Sequence, residues 1–158
     1  MRFDKVLVPL DGSTLAETAM WKAAAMANGG TVSLLRAAEA HTLPGADPVD
    51  AQVTAVREAE EYLASAAKRL QAGGVKNVET HVWYGPAAAA IVEAAQVQKA
   101  DLIVMSTHGR SGLGRLILGS VAESVLRGTR APILVVRADS APVEPPKGAR
   151  PAKEAARV

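Results

Sequence analysis

Two unbroken apolar runs, Val6-Leu7-Val8 and Leu102-Ile103-Val104-Met105, constrain the fold of this chain more than any other feature. A strand with one wet face alternates apolar and polar side chains. A strand without alternation is covered on both faces, the usual state inside a parallel sheet. Parallel neighbours need a crossover between them, most often a helix, and the intervening segments meet that need. Ser13 or Thr14 opens a stretch rich in Ala and Met that reads as a helix as far as Asn28-Gly29-Gly30. Thr31 to Ala38 reads as a second strand, buried at Val32, Leu34 and Leu35. His41 to Pro48, with two prolines and a glycine, reads as a loop. From about Val49 to Gln71 the pattern is helical, with Glu58, Glu60 and Glu61 on a solvated face and Gly73-Gly74 as its stop.

Val78 to Trp83 alternates, which predicts a strand with one exposed face near a sheet edge. Gly85-Pro86 starts a third helix, with Pro in the first helical position and Ile91, Val92 and Ala95 as the buried stripe. Leu102 to Ser106 is the fourth strand. A helix is expected from Ser120 to about Arg127, broken by Gly128-Thr129-Arg130, and Pro132 to Val136 is the fifth strand. Regular alternation of this kind predicts one α/β domain over residues 1–137, an open parallel sheet with helices on both faces and right-handed crossovers. Residues 138–158 hold four prolines, mixed charge and no bulky apolar cluster, and are expected to form a disordered tail.

Composition narrows the function classes. The 158 residues carry a formal charge of only +2 and five aromatics in all, too little for a nucleic-acid surface with stacking platforms. Without cysteine there is no disulfide, no thiolate nucleophile and no Cys-based zinc site. No apolar run approaches the ~18 residues of a membrane span. Met1-Arg2-Phe3-Asp4-Lys5 lacks a signal-peptide core, so the expected location is the cytoplasm, away from membranes.

Two strand ends carry unusual loops where chemistry can sit. Ligands of open parallel sheets sit beyond the carboxyl ends of the strands. Pro9-Leu10-Asp11-Gly12-Ser13 follows the first strand, and a loop rich in glycine, serine and arginine, Ser106 to Ser120, follows the fourth. Ser120 and Glu123 have the spacing of a capping box, which predicts a helix start at Ser120. Loop amides and the first N–H groups of a helix can hold an anion, and His108, Arg110 and Arg115 fit a phosphate. The plain alternative is a surface connection with glycines for tight turns. If the first and fourth strands are neighbours, Asp11 faces this cradle, where a carboxylate can hold a metal or a sugar hydroxyl; its alternative is an Asx-turn residue. No Walker loop, no Gly-x-Gly-x-x-Gly fingerprint and no Gly-x-Ser-x-Gly elbow is present. His41, His81 and His108 stand on separate segments without metal-ligand spacing, and no carboxylate pair suggests acid–base work. The residues point to binding rather than catalysis.

In this setting the chain resembles the universal stress protein family over about residues 1–137. The resemblance rests on Ser106-x-x-Gly109, nine residues, then Gly119-Ser120; on the opening Lys5-Val6-Leu7-Val8-Pro9-Leu10-Asp11-Gly12-Ser13; on Gly85-Pro86; and on Ala131-Pro132-Ile133-Leu134-Val135-Val136. It implies a Rossmann-like sheet of five strands in the order 3-2-1-4-5, of the adenine nucleotide α-hydrolase kind, with the first and fourth strands adjacent. It also implies ATP or another adenine nucleotide, with Mg2+ or Mn2+. Pro9, Leu10 and Asp11 would lie by the adenosine, Asp11 being the metal or ribose residue, and Ala37 would touch the adenine. Met105 and Ser106 would line the base and ribose side, and Gly109, Arg110, Gly119, Ser120 and Val121 would surround the phosphates, where His108 would contact phosphate or else only shape the turn. A homodimer through Pro132–Val136 is implied as well. Ser106 departs from the family pattern, which has glycine there. A side chain at that point crowds the ligand or demands an uncomfortable backbone angle, or else its hydroxyl bonds a ribose or phosphate. Three functions follow: a nucleotide-binding stress protein with slow hydrolysis at most, a dimeric interaction module that has lost the nucleotide, and a slow ATPase or α-phosphate transferase using His108 and Arg110.

Overall fold

The structure, a computed structural model, describes residues 2–107 and 118–137. The elements alternate: β1 (Lys5–Pro9), α1 (Thr14–Ala27), β2 (Thr31–Ala38), α2 (Pro48–Ala72), β3 (Val78–Tyr84), α3 (Ala87–Val97), β4 (Leu102–Ser106), α4 (Ser120–Gly128) and β5 (Ile133–Val136). The strands form one parallel sheet of order β3-β2-β1-β4-β5, with Val6 opposite both Val32 and Leu102.

The unbroken apolar runs have the expected cause. Val6 and Val8 of β1 point to a core shared with Ala19, Met20 and Ala23 of α1 and Leu63, Ala66 and Leu70 of α2. Leu7 points the other way, to Ile91 and Ala94 of α3 and Ala122 and Val125 of α4. Ser33 is the buried polar side chain of the described core; its hydroxyl donates to Gln98 Oε1 at 2.5 Å. β3 is an edge strand, as expected, but its exposure does not alternate: the adjacent Glu79 and Thr80, on opposite faces, are both exposed.

Two helix starts and one helix cap differ from the sequence expectation. α2 begins at Pro48, because Asp47 caps it by accepting from the Val49 N–H at 2.8 Å. A first-turn proline is tolerated, since its missing N–H has no helical partner to lose. Pro86 is the cap of α3 rather than its first helical residue. The capping box at Ser120 does not form. Gly119 is the cap, Ser120 is the first helical residue, and the Glu123 carboxylate instead accepts from Arg127 one turn on, at 2.7 Å. An i,i+4 Glu–Arg pair competes successfully for the side chain that a capping box needs.

Candidate functional site

Because β1 and β4 are adjacent and parallel, the loops that follow them open on the same side of the sheet. After β1 the Leu10 N–H donates to the Leu35 carbonyl at 2.8 Å, which keeps the chain in register for one residue more. It then turns. Asp11 Oδ1 accepts from the Ser13 N–H at 2.8 Å, Gly12 supplies a φ of +85°, and Ser13 caps α1 by accepting from the Ala16 N–H at 3.2 Å. The Asx-turn reading of Asp11 is thus borne out. One carboxylate oxygen builds an Asx turn, and the side chain as a whole is exposed at the cleft.

Across from this turn stands the start of α4. Its cap, Gly119, has no side chain to satisfy the first amides, and among the described residues no side chain caps the helix. Those amides carry the positive end of the helix dipole. Between the two lies a cleft of about 450 Å³. Pro9, Leu10, Asp11, Ala37, Met105, Ser106, Gly119, Ser120 and Val121, singled out from the sequence, all line it. His108, Gly109 and Arg110 lie outside the described residues. Ala16, Leu35, Ile91 and Ala122 give the cleft an apolar floor, suited to a flat aromatic ligand.

Ser106 does not strain the chain. It is the last residue of β4, opposite Val136, and among the described non-glycine residues only Asn28 and Lys99 have positive φ. The glycine of the family motif is therefore not needed here for its backbone freedom, which removes one of the two expected penalties.

Sequence reasoning missed Arg36. It lines the cleft from β2, its Nη1 donates to the Leu10 carbonyl at 3.3 Å, and its guanidinium sits 5.3 Å from the centre of the Tyr62 ring. The available signal was one charged residue in the otherwise apolar second half of β2, Leu34 to Ala38. Behind it, the Tyr62 hydroxyl donates to Glu17 at 3.2 Å, and Arg69 clamps Glu17 through two bonds of 2.7 and 3.0 Å. The Arg69 bond holds the Glu17 carboxyl below its ordinary value. Burial, with the Glu17 charge beside it, pushes the Tyr62 phenol up to about 12.

The sequence profile of the universal stress protein family matches residues 2–137. The chain belongs to this family. A Staphylococcus aureus relative named for the same family is 32% identical over 147 residues, covering 90% of this chain and 89% of its own. A universal stress protein of Methanocaldococcus jannaschii is 46% identical over 80 residues; that match covers 51% of this chain and spans 46% of the archaeal protein. Among solved structures, MJ0577 superposes with a TM-score of 0.76 at 26% identity, covering 89% of this chain and 99% of that one. A universal stress protein solved in complex with cAMP superposes at 0.67 and 26% identity, covering 86% and 98%. The Rossmann-like fold, with its five parallel strands in the order 3-2-1-4-5, is thus that of the family.

Proposed function

We propose that this universal stress protein holds an adenine nucleotide, ATP first among the candidates, in the cleft between the Asp11 turn and the start of α4. One observation carries the reading. The amino-terminal residues of α4 have no side-chain cap among the described residues and line a cleft whose floor is apolar and whose opposite wall bears a carboxylate. Such a wall suits a ligand that is flat and apolar at one end and anionic at the other. The family member solved with cAMP supports the same ligand class.

In this reading Ala37 and Met105 flank the base, Pro9, Leu10 and Ser106 flank the sugar, and the Ser120 hydroxyl with the amides of Gly119, Ser120 and Val121 meets the phosphates. His108, Gly109 and Arg110 complete the phosphate side. Asp11 takes the ribose or a magnesium ion. Magnesium commonly relies on one or two carboxylates plus phosphate oxygens, so a single Asp suffices. Among the described lining residues the titratable groups are Asp11 and Arg36. Among the described residues neither is bonded to a group suited to activating water, which favours a ligand that is held over one that is consumed.

Calorimetry with ATP and Mg2+, alongside ADP, AMP and cAMP, tests this. Binding in the micromolar range is expected, with a loss of about tenfold in Asp11→Ala. No heat and no thermal shift at millimolar nucleotide would reject it in favour of an interaction module. The homodimer through Pro132–Val136 belongs to the same proposal, because an apolar edge strand is safest when paired. Light scattering at twice the monomer mass supports it, and a monomer at all concentrations counts against it.

A further inference from the structure

We propose that Arg36 is a positioning residue for the cleft: it fixes the Asp11 turn by holding the Leu10 carbonyl, and it is itself held by the Tyr62–Glu17–Arg69 chain that ties α1 to α2. The proposal rests on the nucleotide reading for its consequence but not for its geometry.

Leu10 is the last residue secured by the sheet before the chain turns away. Its N–H is bonded to Leu35 and its carbonyl to Arg36, so both of its backbone groups are fixed from β2. The next two residues build the turn that aims the Asp11 carboxylate. Gly12 packs directly on the same guanidinium. A Cβ there would lie 3.3 Å from Arg36 Nη1, at a φ of +85° that side chains rarely adopt. The Asp11–Gly12 turn thus rests against Arg36, and Arg36 rests against the Tyr62 ring at a distance typical of a cation–π contact. A long side chain loses considerable rotamer entropy when it is held in one place. Here the ring and the carbonyl both oppose that loss. Tyr62 is in turn bonded to Glu17, whose carboxylate the Arg69 fork clamps from α2. The orientation of Asp11 therefore depends on the packing of a helix that does not line the cleft.

The test has a ligand-free arm and a nucleotide arm. In the ligand-free arm, amide exchange is followed by NMR in the wild type, Arg36→Gln and Tyr62→Leu. The probe is the Ser13 N–H, which Asp11 Oδ1 accepts. Exchange at Ser13 should be faster by about tenfold in Arg36→Gln and by less in Tyr62→Leu, while the Asp4 and Lys5 amides at the far end of the sheet stay unchanged. Tyr62→Leu also reads the effect should Arg36→Gln fail to fold. Unchanged exchange at Ser13 in the folded variants overturns the proposal.

In the nucleotide arm, Arg36→Gln should weaken ATP–Mg2+ by about five- to tenfold in the wild-type background and hardly at all on top of Asp11→Asn. Arg36→Lys, which keeps a donor for the Leu10 carbonyl, should restore most of the loss. Full additivity with Asp11→Asn would mean that Arg36 meets the ligand itself, and would overturn the positioning role. If the wild type binds no nucleotide while Ser13 exchange still depends on Arg36, the proposed function falls and the positioning role stands.

Discussion

The two ends of the sheet treat the same kinds of residue in opposite ways. At the amino end a carboxylate closes the structure. Asp101 accepts from the Asp4 and Lys5 amides at 2.8 and 3.1 Å, while its own N–H donates to the Lys5 carbonyl. Gly30 lets two loops touch, since a Cβ there would lie 2.3 Å from the Phe3 carbonyl oxygen. At the carboxyl end the corresponding residues leave the structure open. Asp11 commits one oxygen to its turn, and Gly119 caps α4 with no side chain. Aspartate and glycine complete a fold where their partners are internal and leave an open cleft where they are not.

Substitutions should separate the two ends. The largest effect is expected from Gly30→Ala, whose Cβ meets backbone that cannot move aside cheaply. It should cost about 2–4 kcal/mol in urea unfolding, with nucleotide affinity of the folded fraction unchanged. Asp101→Ala leaves two amides unpaired and should cost about 1–2 kcal/mol, again without touching affinity. A change in affinity in either would erase the distinction between the ends.

Glu17→Gln lies between these regions and should cost up to about 1 kcal/mol at neutral pH, because the Arg69 side of the pair is partly exposed. Its pH dependence has a definite sign. The folded state holds the Glu17 carboxyl below its ordinary value of 4.5, so the contribution is complete above 4.5 and is lost as pH falls through the lower folded value. Urea midpoints measured against pH should therefore fall less steeply in acid for Glu17→Gln. Part of the slope should persist, since Lys5 depresses the Glu79 carboxyl in the same way. Tyr62, read by ultraviolet titration in a Tyr84→Phe background, should ionise near pH 12. The smallest effect is expected from Ser106→Gly. With Ser106 already in strand geometry, stability should change by under about 1 kcal/mol and affinity by less than tenfold. A sharp gain in affinity would show that the hydroxyl crowds the ligand.

Much of this was legible from residues alone. The runs Val6–Val8 and Leu102–Met105 announce a sheet covered on both faces, because only two opposed cores can bury consecutive side chains. The alternation from Val78 to Trp83 announces an edge. The strand order was not in those patterns; it came from the family resemblance, since local periodicity says nothing about which strands pair. The helix start at Ser120 was legible, but its cap was misplaced by one residue, because Ser-x-x-Glu has the right composition whether or not Glu123 is already engaged by Arg127. Arg36 escaped notice because its importance lies in a carbonyl 26 positions earlier and a ring 26 positions later, contacts that no local pattern contains.

The central claim is that the first amides of α4 and the Asp11 turn receive one anionic ligand between them. Amide chemical shifts recorded during titration with ATP and Mg2+ test it most directly. The account predicts saturable shifts concentrated at Gly119, Ser120, Val121 and Asp11 to Ser13, with Asp4, Lys5 and Asp101 unmoved. Saturation with the largest shifts at the amino end of the sheet, or no shifts at all at millimolar ligand, would contradict it.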